Sequence, residues 1–157
     1  MQLWSKVTMK SCTNMIMQVD LPQRLIIKRA KYGSGAFASK KIRKSAFIGE
    51  YTGEIIPNEQ HSDVIEKYLD LNYGFDHDLK TYIDGMKLGN ETRYLNHPSL
   101  KQKTNVEAMM IAVNGDQRIA LFAKHRIEKD EELLLDYGEK YWQHHKNKRQ
   151  SSDEDEF

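Results

Sequence analysis

Apolar and polar residues alternate in short runs along most of this chain, a pattern that predicts strands rather than helices. The clearest signal is at residues 108–123, where two apolar runs flank Asn114-Gly115. Asn-Gly between apolar runs is typical of a two-residue hairpin turn, because both of its positions adopt positive φ. We therefore predict a β-hairpin there.

Shorter runs predict further strands at 25–27, 36–38, 46–51, 54–56, 72–76, 80–85 and 133–135. Residues 33–35 and 77–79 are predicted as turns between neighbouring strands. The glycines at 33 and 35 either permit positive φ or let a ligand approach the backbone, and their spacing favours the hairpin turn. Residues 57–69 predict the one convincing helix, since Pro57 suits its first turn and its apolar residues recur at helical spacing.

Composition narrows the class of protein. The 157 residues suffice for one domain, and 39% hydrophobic with 30% charged residues is typical of a soluble protein. A net charge of +1 excludes a global basic field, so attraction to nucleic acid requires a local patch. The single cysteine, Cys12, excludes a disulfide framework and a closed cysteine-rich zinc site, and we predict no metal. No apolar run reaches the ~18 residues of a membrane span, and we expect an intracellular protein.

Three segments are predicted from these patterns: a lead-in at 1–24, the domain at 25–142, and a charged tail at 143–157 that we expect to be disordered. Two runs are basic, Lys40-Lys41-Ile42-Arg43-Lys44 in the domain and residues 144–149 in the tail. A solvated surface is the simpler interpretation of both. The tail run is also compatible with contact to DNA phosphates or with a nuclear signal.

Chemically useful side chains stand at the ends of apolar runs, in Arg93-Tyr94-Leu95-Asn96-His97 and in Asp136-Tyr137-Gly138. Sites often lie where β-structure holds such residues rigidly. Taken alone, His97 fits a core or turn histidine equally well. Tyr73 and Phe75 alternate onto one face of a strand, where core packing is the alternative to a binding role.

Four motifs occur in order: Gly33-x-Gly35, Tyr51-x-Gly53-Glu54, Arg93-x-x-Asn96-His97 and Asp136-Tyr137-Gly138. Together they resemble the SET domain of protein lysine methyltransferases, over roughly residues 25–142. Within that family the chain is most similar to the Enhancer of zeste branch of the Polycomb system. Residues 49–54, 113–119 and 122–124 carry that similarity, and Cys12-Thr13-Asn14-Met15 resembles the end of the branch's cysteine-rich region, so that 1–24 is interpreted as its remnant.

The resemblance implies a mostly β fold with few short helices, built of small curved sheets with a knot-like C-terminal crossing. It implies S-adenosyl-L-methionine as cofactor, with a narrow lysine channel on the opposite face. The roles it implies are as follows: Tyr137, Tyr51 and His97 are catalytic; Gly33, Ser34, Gly35, Arg93, Asn96, His97 and Tyr137 bind the cofactor; Tyr51, Tyr73, Phe75 and Leu135 line the channel.

The sequence also departs from the family pattern. Ser34 replaces an aromatic residue between the glycines, which removes a stacking surface for the cofactor. Val106 replaces a cysteine that joins a zinc cluster after the domain in many relatives, so we expect Tyr141-Trp142 or a partner to close the channel. Leu135 stands where relatives carry Tyr or Phe, and without a hydroxyl it is expected to allow di- and trimethylation.

The function implied is methylation of a histone H3 tail lysine, a Polycomb-type repressive mark, by a nuclear enzyme that works with Polycomb-type partner subunits. Acidic residues for a basic histone tail are available at Glu50, Glu54, Asp76, Asp78 and Asp84, although each also fits a solvated strand end. The alternatives are a methyltransferase for another protein lysine and a non-catalytic binding module that keeps the fold.

Overall fold

The structure, a computed structural model, describes residues 21–57, 59, 73–77, 80–139 and 141. The lead-in before residue 21, residues 58 and 60–69 of the predicted helix, and the tail lie outside the described residues. Pro57, predicted to begin that helix, is instead the last residue of a strand. The division into three segments stays a prediction.

The first sheet is a two-stranded antiparallel hairpin of β1 (Leu25–Ala30) and β2 (Gly33–Ala38). The turn predicted at residues 33–35 is wrong, because the chain turns at Lys31-Tyr32 and all three residues lie in β2. Gly33 has φ of +87° directly after the turn, and Gly35 pairs with Lys28 in the ladder. Close packing, and not turn geometry, therefore explains the glycine at position 35.

The second sheet has the order β3-β8-β7 and contains β3 (Phe47–Tyr51), β7 (Val106–Val113) and β8 (Asp116–Ala123). The predicted β7–β8 hairpin is confirmed, with Val113 opposite Asp116 and positive φ at both Asn114 (53°) and Gly115 (94°). Both faces of this sheet are buried in part. One face enters the main core, and the other forms a smaller cluster around Phe47 and Phe122.

The third sheet has the order β4-β6-β5 and contains β4 (Glu54–Pro57), β5 (Gly74–Asp76) and β6 (Thr81–Asp84). A short helix α1 (Gly85–Leu88) follows β6 directly and is capped by the Asp84 carboxylate, which accepts from Met86 N at 2.8 Å. His77 links this sheet to the second, since its Nε2 lies 2.6 Å from the Gln117 carbonyl of β8. It is buried, and the sequence pattern predicted only a polar turn there.

The segment after residue 130 passes through the molecule. Leu133 N donates to Ala36 O of β2, Leu135 N donates to Asn96 O, and Leu134 O accepts from Asn105 N and Val106 N. The continuous last strand predicted at 133–135 is therefore wrong: the segment makes single bridges whose partners change every residue or two. These bridges form the crossing that the resemblance implied, and the mostly β fold is confirmed.

The main core is formed by aliphatic residues of all three sheets and of the crossing. Its fully buried side chains include Ile42, Ile48, Ile119, Leu121, Ile127, Leu133 and Val106. Within the described ranges, no helix is long and apolar enough to cross a membrane.

Candidate functional site

The site lies where the 3-10 helix Glu91–Tyr94 leads into residues 95–97. Asn90 caps this helix by accepting from Thr92 N, and its side-chain amide donates to Glu50 O of β3 at 2.9 Å. Thr92 Oγ1 donates to the same carbonyl. The 3-10 helix is thus hydrogen-bonded to β3 at Glu50, one residue before Tyr51.

Tyr137 is held by hydrogen bonds to residues 95–97. Its backbone N–H donates to His97 Nδ1 at 3.2 Å, and its hydroxyl donates to Leu95 O at 2.6 Å. Accepting that bond requires that His97 Nδ1 carry no proton. The Asp136 carboxylate lies 3.7 Å from the same nitrogen. The His97 and Tyr137 rings lie 5.5 Å apart. Two predicted catalytic residues are therefore in contact although they are 40 positions apart.

Tyr51 approaches the same region from the end of β3. Its side chain is buried, its hydroxyl donates to Tyr73 O at 2.5 Å, and its ring lies 5.1 Å from that of Phe75. Gly85 leaves room for this hydroxyl, because a Cβ there would come within 3.0 Å of it. The end of β3 and the start of β5 therefore enclose one phenol.

Burial raises the pKa of the Tyr51 phenol well above its usual range, and the nearby Asp84 carboxylate adds to this. Burial also raises the pKa of Tyr137, with further contributions from the neighbouring phenols of Tyr141, Tyr51 and Tyr73. The Tyr137 and Tyr141 rings meet edge to face at 4.7 Å. The region is thus a cluster of phenols that stay protonated at every physiological pH.

Arg93 lies beside this cluster, and its hydrogen bonds go to the protein. Its guanidinium donates to the carbonyls of Gly85 and Met86, at 3.1 and 2.6 Å, and to Tyr94 Oη at 2.6 Å. It also stacks 4.9 Å from the Tyr73 ring. Arg93 therefore ties the 3-10 helix to α1. The Tyr73 ring faces this cation, whereas Phe75 packs on Tyr51.

Asn96 contacts both the β2 segment that contains Gly33 and Gly35 and the crossing. Asn96 Nδ2 donates to Ser34 O at 3.2 Å and to Glu132 Oε1 at 2.8 Å. A Cβ on Gly35 would lie 2.5 Å from that Glu132 oxygen and 3.0 Å from Asn96 Nδ2. A Cβ on Gly33 would meet nothing within 4 Å. Gly35 therefore makes room for the polar contact, and Gly33 borders open space.

Glu132 and Asn105 are two residues of this region that sequence reasoning missed. Asn105 is buried, its Nδ2 donates to Glu131 Oε1 and Glu132 O, and its Oδ1 accepts from Leu134 N at 2.8 Å. It thereby satisfies the backbone of the crossing where no regular ladder exists. The available signals were an acid directly before the apolar run at 133 and an asparagine directly before β7.

The remaining predicted residue, Leu135, is buried and bridges to Val106, two residues before Tyr137. Among the described residues, no group of His, Cys, Asp and Glu side chains is arranged to hold a metal. The structure thus brings Tyr51 into ring contact with Phe75, His97 into contact with Tyr137, and Asn96 into contact with the Gly33–Gly35 strand.

Comparison with known proteins identifies the family of the chain. The SET domain family profile matches residues 33–138. Over 129 residues the chain is 36% identical to the histone-lysine N-methyltransferase MEDEA of Arabidopsis thaliana. The aligned region covers 80% of this chain and 18% of that protein. The chain is 33% identical to the histone-lysine N-methyltransferase EZ2 of Zea mays, covering 80% of this chain and 14% of that one. The chain therefore spans less than a fifth of either relative.

A solved structure of an active polycomb repressive complex 2 in the basal state superposes with a TM-score of 0.72 at 28% identity. The match covers 82% of this chain and 17% of the solved one. It extends the agreement from the motifs to the path of the backbone.

Proposed function

Because the chain belongs to the SET domain family, we propose that it transfers a methyl group from S-adenosylmethionine to the side-chain amine of a protein lysine. The observation that carries the proposal is a pair of buried phenols, Tyr51 and Tyr137, near enough for Tyr51 to contribute to the raised pKa of Tyr137. Their hydroxyls donate to backbone carbonyls, and burial raises the pKa of both phenols. Neutral phenols beside carbonyl oxygens suit a reaction in which positive charge moves from sulfur to nitrogen.

The residues present fit the cofactor. Gly33 borders open space at the start of β2, and the Ser34 carbonyl beside it is held by Asn96. The partly exposed His97 is within ring contact of Tyr137. When bound, S-adenosylmethionine supplies an electrophilic methyl group on a sulfonium sulfur. The residues that would hold it are Gly33, Ser34, Gly35, Asn96 and His97. Arg93 braces the 3-10 helix through its hydrogen bonds to α1.

The protein's own part in the reaction is positioning and exclusion of water. A lysine enters with a pKa of ~10.4, and an apolar channel favours its neutral form because burial penalises the ammonium ion. Tyr51, whose hydroxyl donates to the Tyr73 carbonyl, would accept a hydrogen bond from the amine, and Phe75 would line the channel. Tyr137 would face the forming N–C bond. The amine proton leaves to water, so no permanently bound general base is needed.

For the substrate, we propose a lysine of the histone H3 tail, in a complex with Polycomb-type partner subunits at nuclear chromatin. Support comes from the names of the relatives, which are histone-lysine methyltransferases, and of the solved structure, a polycomb repressive complex. Of the acids predicted to attract a basic tail, Glu50 is paired with Arg118 and Asp84 caps α1. Glu54 is exposed at the start of β4 and is better placed to attract it, and Asp76 is exposed at the end of β5. Asp78 lies outside the described residues.

The test is mass spectrometry of nucleosomes incubated with the protein, Polycomb-type partner subunits and labelled S-adenosylmethionine. The Tyr137→Phe variant serves as control, because it removes one hydroxyl and keeps the ring that contacts His97 and Tyr141. We expect a label on one H3 lysine and a loss of about 100-fold in the variant, the size of effect that misplacement of a reacting group produces.

Other outcomes separate the alternatives. Label on another protein would keep the enzyme and remove the H3 substrate. Absence of label together with no calorimetric binding of S-adenosylmethionine would favour a binding module, in which Ser34 and its missing aromatic surface weaken the pocket. Binding that disappears in a His97→Ala variant would support the enzyme.

The number of methyl groups added depends on Leu135 in this proposal. Its side chain is buried, two residues before Tyr137, and has no hydroxyl with which to hold a water molecule. We expect di- and trimethylated product from the native chain and a shift toward monomethylated product in Leu135→Tyr. Intact-mass analysis of the product decides this, and exclusively monomethyl product from the native chain would refute it.

A further inference from the structure

Two loops far apart in sequence form one basic surface. The first, residues 39–46, joins β2 to β3, and the second, residues 123–130, follows β8. Ile42 and Ile127 exchange two backbone hydrogen bonds of 2.9 and 3.0 Å, and Ser45 N donates to Ala123 O. Both isoleucines are fully buried, so they anchor the loops from below. We call the exposed side chains of these two loops the basic face.

The charge of the basic face contrasts with that of the whole chain. The first loop carries four cations, Lys40, Lys41, Arg43 and Lys44, and no acid. The second carries Lys124, Arg126 and Lys129 against Glu128 and Asp130. Together they hold a net charge of +5, whereas the chain as a whole holds only +1. The remainder is therefore net acidic, and positive charge is concentrated on this face.

The acids near the basic face are already engaged. Glu128 pairs with Arg126 at 2.6 Å, and Asp130 pairs with Lys28 of β1 at 2.7 Å, which lowers the pKa of Asp130. The four cations of the first loop are exposed. Within the described ranges none of these four makes an ion pair. Like charges held together on a rigid platform repel each other, and a polyanion relieves that repulsion.

The chemistry of the loops distinguishes among polyanions. Neither loop contains Phe, Tyr or Trp, and their two large apolar side chains, Ile42 and Ile127, are buried. Single-stranded nucleic acid is bound by stacking on aromatic rings, and an amphipathic membrane contact requires exposed apolar groups. Double-stranded DNA requires only lysine and arginine at its phosphates.

We propose that the basic face binds the phosphates of double-stranded DNA, without sequence preference. The inference deepens the proposed function, because it supplies the chain with a contact to the DNA that surrounds a histone substrate. The face is made by the ends of β2, β3 and β8, so it is rigidly attached to the strands that carry Gly35 and Tyr51. DNA bound there would keep the site near its histone tail.

The experiment measures binding of the full-length chain to a labelled DNA duplex by fluorescence anisotropy across a salt series. Contact with about four phosphates predicts a slope of roughly −3.6 in log affinity against log salt, or a loss of roughly 100-fold between 50 and 200 mM salt. Lys41→Glu/Lys44→Glu is expected to weaken binding at least ~10-fold and to flatten the slope by about 2.

The matched control is Lys80→Glu/Lys87→Glu, which changes the net charge equally at two exposed lysines on the third sheet and α1. It is expected to weaken binding less than ~3-fold. Equal losses in the two double variants would overturn the proposal, since total charge alone would explain them. So would tighter binding of single-stranded RNA, or of anionic lipid vesicles, than of the duplex.

DNA binding requires no cofactor, so this experiment is independent of methyl transfer. Loss of DNA affinity confined to the basic-face variant would support the inference even if no methyl transfer were found. If methyl transfer is found, the variant is expected to act normally on an H3 peptide and at least ~5-fold more slowly on nucleosomes. Equal activity on nucleosomes would count against a role for the face in catalysis on chromatin.

Discussion

The β7–β8 hairpin and the crossing after residue 130 both contribute side chains to the core, but they are encoded differently. In the hairpin each residue pairs with one nearby in sequence, from Val113 opposite Asp116 outward to Val106 opposite Ala123. In the crossing, Glu132 bonds to Asn96 at a separation of 36 positions and Tyr137 to Leu95 at 42. Local alternation and a two-residue turn determine the first, whereas the second depends on several distant segments at once.

The two regions also differ in role, since the hairpin contributes to the core and the crossing contributes to the predicted site. The hairpin closes with one Asn-Gly turn and supplies a wall of the core. The crossing carries the predicted catalytic Tyr137 and brings it to His97, and it is held largely by side chains that replace missing ladder bonds, such as Asn105. Irregular backbone is tolerated there because these polar side chains satisfy it.

The largest contrast is expected from one added methyl group in each region. Gly115→Ala meets open space and suffers only from its φ of +94°, a cost of roughly 1–2 kcal/mol. Gly35→Ala places a Cβ 2.5 Å from Glu132 Oε1 and 2.8 Å from Ala30 Cβ, so it should cost about 1–3 kcal/mol. We also expect it to weaken binding of S-adenosylmethionine at least ~10-fold, because Asn96 must move.

Urea denaturation measures the first effect of each variant, and calorimetric titration of the cofactor measures the second. Gly115→Ala serves as the matched control, since it should lose stability without losing cofactor affinity. The comparison would fail if both variants bound the cofactor as well as the native chain does.

The same contrast explains how much could be predicted from the sequence. The hairpin, most other strands and the crossing of the C-terminal segment beside residues 93–97 follow from alternation, from Asn114-Gly115 and from the resemblance to the SET domain. The turn before Gly33 was misplaced because glycine signals both a turn and close packing, and only a distant residue, Glu132, shows which applies at Gly35. Glu132 and Asn105 were missed because neither has a local pattern that reveals its partner.

A smaller difference between the regions is expected at high pH. The hairpin strands contain no tyrosine, whereas the site contains Tyr51 and Tyr137, whose pKa values are raised by burial. In the unfolded chain a tyrosine ionises near pH 10. The stabilisation from these two groups is therefore complete below pH 10 and is lost as the pH rises further, by up to about 1.4 kcal/mol per pH unit for each phenol.

Chemical denaturation between pH 8 and 11 measures this dependence. Lysines titrate in the same range, so the informative quantity is the difference between the native chain and Tyr51→Phe. The variant should lose less stability per pH unit than the native chain. Identical pH dependence in the two proteins would show that the Tyr51 phenol ionises as readily in the folded chain as in the unfolded one.

The smallest effect is expected from Glu132→Gln, which keeps the size of the side chain and an oxygen that can accept from Asn96 Nδ2. Only the charge-assisted part of that hydrogen bond is removed, so the free energy of unfolding should fall by about 1 kcal/mol or less. Because Asn96 also holds the Ser34 carbonyl, affinity for S-adenosylmethionine should fall about 2- to 5-fold. Glu128→Gln, which ends the exposed pair with Arg126, is the control and should leave cofactor affinity unchanged. Calorimetry that finds equal affinity in both variants would show that Asn96 holds its position without the negative charge of Glu132.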